Sequence, residues 1–219
     1  MQDVFKEALG LILGGARGAL STIVSSTGSL PMSKKAKMLV LPDGKILGTV
    51  GGGCLEADVW AEAKSVMDSG EPTLQKFILT EEHAGEGGLN CGGNVEIFTE
   101  PLFPGQSEEI LAEIAAINER RESAVLATLV SGNKKEGLGH KLLIRLDLTT
   151  LGSLGDAKAD GAVLREVKDL ESIPEDLLEV IDLELEQTVS AELLGSASDS
   201  SPYEGRTIRG WPVTSSRVT

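Results

Sequence analysis

An internal repeat is the feature that most constrains how this chain folds. The triplet TIV at Thr22 recurs as TLV at Thr128, an offset of 106 residues, and KMLV at Lys37 recurs as KLLI at Lys141, an offset of 104. Further residues that match at the offset of 104 are Asp43 with Asp147, Gly48 with Gly152, and Gly51 with Gly155. Because repeats of this kind mark repeated folding units, we expect two related units, residues 1–103 and 104–195.

The hydrophobic pattern predicts the elements of each unit. A helical stripe begins at Val4 and ends before Gly14, and the dipeptide Asp43-Gly44 after Pro42 predicts a turn between two strands. In the first unit we predict strands at 19–25, 37–41, 45–50, 74–79 and 94–98, and a second helix at 55–67. The pattern indicates an α+β protein, made of two related units with mixed β-sheets and flanking helices.

Composition narrows the function classes. The net charge of −14 argues against nucleic acid and against an anionic membrane surface as partners. Two cysteines are too few for a disulfide scaffold and fit a reducing compartment. The N-terminus has no basic region typical of a signal peptide. We therefore expect a cytoplasmic protein, with residues 196–219, rich in Ser, Thr and Gly, as a disordered tail.

The stretch GTVGGGCLE, residues 48–56, carries the first candidate site. Gly51, Gly52 and Gly53 lie between a predicted strand and a predicted helix. Backbone N–H groups at a helix N-terminus favour an anion, and glycine lets a phosphate approach the backbone. A tight corner that needs a positive φ is the alternative explanation of these glycines. The pattern matches neither a P-loop nor the dinucleotide fingerprint.

The second copy reads GSLGDAKAD at the same place, so the shared scaffold does not require GGGC. This difference favours a function for the first copy. In the second copy, Asp156, Ala157 and Lys158 stand in place of Gly52, Gly53 and Cys54.

Cys54 and Glu56 are the candidate reactive residues. A thiol at the start of a helix is favoured as the thiolate, which can attack, ligate a soft metal or carry sulfur. The alternative for Cys54 is a small buried hydrophobe. Glu56 could act as an acid or base, but an acid in the first helical turn is also ordinary.

Two glycine-rich loops supply the remaining candidates. Ser29 and Pro31 belong to GSLP, which has no counterpart in the second copy, and Cys91 with Gly92 belongs to GGLNCGG. His83, Cys91 and Cys54 match no zinc spacing, so we assign no metal. His140 lies in the second copy, where we expect no special role.

At these residues the sequence resembles the XdhC/CoxI family, the accessory factors of molybdenum hydroxylases. The matching stretches are TGSLP, AKMLVLPDGKILGTVGGGCLEADVW and GLNCGGNVEIFTEPL, which together cover most of residues 1–103. The second copy is similar to a degenerate version of the same domain.

The resemblance implies a maturation factor that binds molybdenum cofactor (molybdopterin), guards it during sulfuration, and passes it to a xanthine or carbon monoxide dehydrogenase-type apoenzyme. It places Gly51, Gly52 and Gly53 against the cofactor phosphate, and Cys54 near the metal or its exchangeable sulfur, with Cys91 and Gly92 close by. A cysteine desulfurase and a second copy of the chain are further implied partners. No turnover chemistry is required of the chain itself.

The sequence departs from the family pattern in two respects. Met32 stands where the family has Arg, and Lys35 where it has Gly. If that Arg helps to hold an anion, either Lys34 or Lys35 substitutes for it here, or binding is weaker. Longer members also carry a C-terminal Rossmann domain, whose glycine fingerprint does not occur in this sequence. That domain is expected either on a separate protein or in a longer reading frame.

Two other functions fit the same residues. One is a sulfur-transfer or nucleotide-modifying enzyme that uses Cys54 as nucleophile. The other is a non-catalytic interaction module that acts with a separate Rossmann-domain partner.

Overall fold

The computed structural model describes residues 3–27, 36–51, 53–78, 93–132, 137–169, 178–183 and 187–194. Within these ranges the first half of the chain forms two helices and five strands, and the strands join in the sheet order β3-β2-β1-β5-β4. In chain order these elements are α1 (Val4–Leu13), β1 (Gly18–Thr27), β2 (Lys37–Val40), β3 (Ile46–Gly48), α2 (Gly53–Ser69), β4 (Thr73–Ile78) and β5 (Asn94–Leu102).

The second half has the same succession of elements and the same sheet order, β8-β7-β6-β10-β9. This agreement supports an internal duplication; the boundaries at 103 and 195 stay predictions, and residues 196–219 lie outside the described ranges. The elements are α3 (Glu108–Arg120), β6 (Ala124–Ser131), β7 (Lys141–Arg145), β8 (Thr150–Gly152), α4 (Ala157–Asp169), β9 (Leu178–Leu183) and β10 (Gln187–Leu194).

The α+β class is confirmed, and the sheets differ from expectation in one detail. Every strand pairing among the described residues is antiparallel, where mixed sheets were predicted. The reason is the path of α2, which follows the strand at one edge of the sheet and leads to β4 at the opposite edge. There β4 pairs antiparallel with β5.

Each sheet is covered on both faces. Alternate residues of β1 point to different cores: Ala19 and Ile23 pack with α2, whereas Leu20 packs in a core shared by the two halves. The helix α4 covers the outer face of the second sheet in the same manner. Burial on both faces explains the long apolar runs of the central strands.

The shared core joins α1, α3 and the inner faces of both sheets. Its fully buried members, each at most 1% exposed, include Ile12, Leu39, Leu111, Ile114 and Leu143. Since residues from both halves fill one core, neither half presents its inner face to water.

The helix predicted from Val4 is confirmed, and its ends have clear causes. Asp3 caps α1 by accepting hydrogen bonds from the N–H groups of Phe5 and Lys6, at 3.0 and 3.3 Å, and Gly14 ends the helix. The predicted strand at 45–50 is shorter in the structure, Ile46–Gly48. Gly48 has a φ of 79°, which breaks the extended conformation.

Among the described residues, no helix is both long enough and apolar enough to cross a membrane.

Candidate functional site

Three connections leave the first sheet at the same end. Asn94, at the start of β5, is the register partner of both Thr27 and Ile78, the last residues of β1 and β4. Gly48, the last residue of β3, is paired with Met38 near the start of β2. The ends of β1, β3 and β4 and the starts of β2 and β5 therefore lie at one end of the sheet, and the candidate residues are close to these strand ends in the sequence.

The corner after β3 requires glycine. A Cβ on Gly48 would collide with the carbonyl oxygen of Lys37, and the φ of 79° also disfavours any other residue. The same carbonyl oxygen accepts a hydrogen bond from the N–H of Thr49 at 2.9 Å. Lys37 thus fixes the backbone where the chain turns towards α2.

The corner is held further by one hydroxyl and one buried side chain. Thr49 accepts a hydrogen bond at Oγ1 from the N–H of Gly51, at 3.1 Å. Val50 is fully buried in the core beneath α2. Gly51 has a φ of 139°, so this position also favours glycine.

The helix α2 begins at Gly53, so Cys54 lies within its first turn rather than before it. Leu55 is buried, whereas Cys54 is exposed and Glu56 is half-buried. An exposed thiol is the opposite of the buried hydrophobe that was the alternative for this residue.

The N-terminus of α2 has unused donors. In the part of the chain that the structure describes, no side chain accepts from the N–H groups of Val50, Gly53 or Cys54, and Glu56 makes no side-chain hydrogen bond or ion pair. Free donors and the dipole of a 17-residue helix favour an anion at this place.

The second copy fills the equivalent donors with its own carboxylates. Asp156 accepts from the N–H of Lys158 at 2.8 Å. Asp160 accepts at one oxygen from the N–H of Leu154, at 2.7 Å, and at the other from the hydroxyl of Ser153, at 2.6 Å. At the offset of 104, Asp156 corresponds to Gly52, and the N–H groups of Leu154 and Lys158 correspond to those of Val50 and Cys54.

His140 lies in a cleft of about 590 Å³ in the second copy, between the start of α3 and the corner before α4. Its Nδ1 would be 2.8 Å from a Cβ on Gly155, so the imidazole packs closely over that glycine. Ser107, Glu108 and Ser153 line the same cleft.

The structure brings together four of the predicted residues: Gly51, Gly53, Cys54 and Glu56. Within the described ranges, no group of three or more His, Cys, Asp or Glu side chains is placed to hold a metal ion. The other candidates lie outside the described residues: Ser29, Pro31, Gly52, His83, Cys91 and Gly92.

Sequence reasoning missed Lys37 and Thr49, which shape the corner. A signal for both was present in the repeat, because Lys37 matches Lys141 and the hydroxyl of Thr49 matches that of Ser153. The two hydroxyls have equivalent partners: Ser153 accepts from the N–H of Gly155 at 3.0 Å, as Thr49 accepts from that of Gly51.

The comparisons with known proteins agree with this architecture. The family model described as the XdhC and CoxI family matches residues 11–77 and 118–175, together more than half of the chain. Its two matched segments fall one in each half of the structure.

Two Escherichia coli (strain K12) relatives are similar over part of their length. "Uncharacterized protein YqeB" is 35% identical over 96 residues, which cover 44% of this chain and 18% of that protein. "Molybdenum cofactor insertion chaperone PaoD" is 29% identical over 126 residues, covering 55% of this chain and 37% of that protein. The chain therefore spans well under half the length of these relatives.

A solved structure shares the fold. The Bacillus halodurans protein BH1974, described as a xanthine dehydrogenase, superposes with a TM-score of 0.61 and 18% sequence identity. The match covers 87% of this chain and 52% of that one. The family model, matching in both halves, settles the relationship: this chain belongs to the XdhC and CoxI family.

Proposed function

We propose that this chain binds molybdenum cofactor at the N-terminus of α2 and assists its insertion into a molybdenum hydroxylase. The relative PaoD is named as a molybdenum cofactor insertion chaperone, and the family match supports the same role here. The finer steps that belong to this proposal are sulfuration of the cofactor and its transfer to a xanthine or carbon monoxide dehydrogenase-type apoenzyme.

The observation that carries the proposal is the contrast between the two helix starts. The second copy satisfies its donors with Asp156 and Asp160, while the equivalent donors of the first copy have no side-chain acceptor among the described residues. An anionic phosphate would occupy in the first copy the place that these carboxylates occupy in the second.

The thiol adds the second requirement for this cargo. Cys54 is exposed one residue inside the helix, and a thiolate is a soft ligand suited to a metal that carries sulfur. A helix start that can bind a phosphate and also offers a soft ligand fits a cofactor that bears both a phosphate and a metal with sulfur ligands. Ser29, Pro31, Cys91 and Gly92 belong to segments that leave the same end of the sheet, and we propose that they complete the site.

The test is anaerobic equilibrium binding of purified molybdenum cofactor to the chain and to three variants. We expect a micromolar or tighter Kd, about −8 kcal/mol. Gly52→Asp should weaken binding because the second copy shows such a carboxylate taking the N–H two residues on. Cys54→Ser should weaken it by removing the soft ligand.

The matched control is Lys158→Ser, at the position that corresponds to Cys54 in the second copy. This variant should bind like the unmodified chain. If the chain binds tightly and neither Gly52→Asp nor Cys54→Ser weakens binding, the function stands but the site lies elsewhere. If the folded chain does not bind the cofactor, the proposal is rejected.

The exposed thiol also supports a sulfur-transfer enzyme as a second candidate. That function requires a persulfide on Cys54 after incubation with a cysteine desulfurase and cysteine. Mass spectrometry of the alkylated protein would detect the added sulfur, with Cys54→Ser as control. If the cofactor binds and no persulfide forms, the carrier function remains. An interaction module would instead bind a Rossmann-domain partner, without binding the cofactor and without forming a persulfide.

A further inference from the structure

Two buried ion pairs cross between the halves in opposite directions. Lys37 on β2 donates to Glu192 on β10 at 2.6 Å, and Lys141 on β7 donates to Glu100 on β5 at 2.7 Å. All four side chains are less than 10% exposed. Each half therefore supplies one lysine and one glutamate to the other.

The pair made by Lys37 leads directly to the candidate site. The backbone carbonyl of Lys37 accepts from Thr49 and abuts Gly48, while its side chain passes over the ring of Phe5, 5.4 Å from the centroid, to reach Glu192. One residue thus connects the corner before α2 with the second half.

The cavity around the Lys37 ammonium group has little room for water. The cavity that both ion pairs line has room for about one water-sized probe, near 10 Å³. A lysine that loses its glutamate there loses a buried counter-charge and hydrogen-bond acceptor, which is unfavourable. We expect it to turn outward and carry the first residue of β2, and with it the corner, out of position.

We propose that Glu192, in the second copy, is a positioning residue for the binding site in the first copy. It acts through Lys37 and makes no hydrogen bond or ion pair with the described residues of the site. This inference rests on the proposed function for its ligand, molybdenum cofactor, and it gives the second copy a role in binding.

The chain offers a matched control. Glu192→Gln and Glu100→Gln each break one equally buried cross-pair, and each should lower Tm by about 10 °C, since a broken buried pair is costly. Only the first removes the ion pair between Lys37 and Glu192. The Kd for purified molybdenum cofactor should rise about tenfold in Glu192→Gln, the scale of an outer-shell loss, and stay within about twofold in Glu100→Gln.

Hydrogen exchange tests the same inference without ligand. Glu192→Gln should accelerate exchange of the Thr49 and Gly51 amides more than that of Leu154 and Gly155, and Glu100→Gln should not. If Glu192→Gln fails to fold, Glu192→Asp keeps the charge with a shorter reach and should show the same pattern more weakly.

Equal effects of the two variants on Kd and on exchange would overturn the inference, because the pairs would then only join the halves. Unchanged Kd and exchange in Glu192→Gln would overturn it as well. If the unmodified chain binds no cofactor, the proposed function fails, and the exchange measurement alone decides the role of Glu192.

Discussion

The two halves share one backbone plan and differ at the start of their second helices. In the second half, Asp156 and Asp160 satisfy the donors before and within the first turn of α4. In the first half, glycine stands at the first of these positions and Glu56 at the second, without a partner among the described residues. The same scaffold therefore carries one corner whose donors are satisfied by its own carboxylates and one whose donors have no side-chain acceptor among the described residues.

The largest loss of stability is expected at two glycines that occupy equivalent positions in the two halves, at the ends of β3 and β8. Gly48→Ala and Gly152→Ala each put a Cβ against a lysine carbonyl at a positive φ. We expect each to cost about 3 kcal/mol of unfolding free energy, measured by urea denaturation. A loss confined to one half would show that the two corners are not equivalent.

The difference between the corners predicts unequal responses to loss of a carboxylate. Asp160→Ala removes the acceptor of two hydrogen bonds and should destabilise by about 2 kcal/mol. Glu56→Ala should change stability by less than about 0.5 kcal/mol, because its side chain makes no such bond with the described residues. Thermal unfolding of both variants measures this, and comparable losses would mean that Glu56 already closes its corner.

The hairpin turns give a smaller contrast. The left-handed position is Gly44 in the first half, with φ 83°, but Leu148 in the second, with φ 65°. Leu148→Gly should stabilise the protein by about 0.5 kcal/mol because a branched residue is strained there. Gly44→Ala should do the reverse. A lower Tm for Leu148→Gly would show that the contacts of the leucine outweigh its strain.

The smallest contrast concerns the aspartates of the same turns. The side chain of Lys45 is the main cause that lowers the pKa of Asp43, whereas the hydroxyl of Thr149 is the main cause for Asp147. A lowered folded pKa contributes stability above the unfolded value, near 3.9, and that stability is lost as the pH falls through the folded pKa.

Carboxyl NMR titration separates the two causes. High salt screens the ion pair of Asp43 and should raise its pKa towards the ordinary value, while the pKa of Asp147 should move less. Lys45→Met should abolish this salt sensitivity. Equal salt responses would contradict the assigned causes.

Much of the fold could be predicted because the repeat and the turns are local signals. The α1 helix, the hairpin at Pro42 and α2 follow from spacing, glycine and proline. The strand pairing at the far edge could not, because α2 carries no mark of which edge it leads to. The central strands, buried on both faces, also hide which side chains point to the partner half.

The candidate site, which stays a prediction, could be identified from the sequence only through the repeat. GGGC stood out because the second copy lacks it, but Asp156 and Asp160, which accept hydrogen bonds at the corresponding corner, act across several residues of backbone. Glu192 was beyond sequence reasoning, since its partner Lys37 lies 155 positions away and a charged residue in a strand is ordinarily solvated.

The reciprocal ion pairs also bear on how the protein behaves when it is dilute. Both partners of each pair belong to one polypeptide, and only the short segment from Phe103 to Ser107 separates β5 from α3. Tethering of this kind gives an effective concentration on the order of millimolar. The union of the halves is therefore independent of how much protein is present, and the contact between Lys37 and Glu192 persists on dilution.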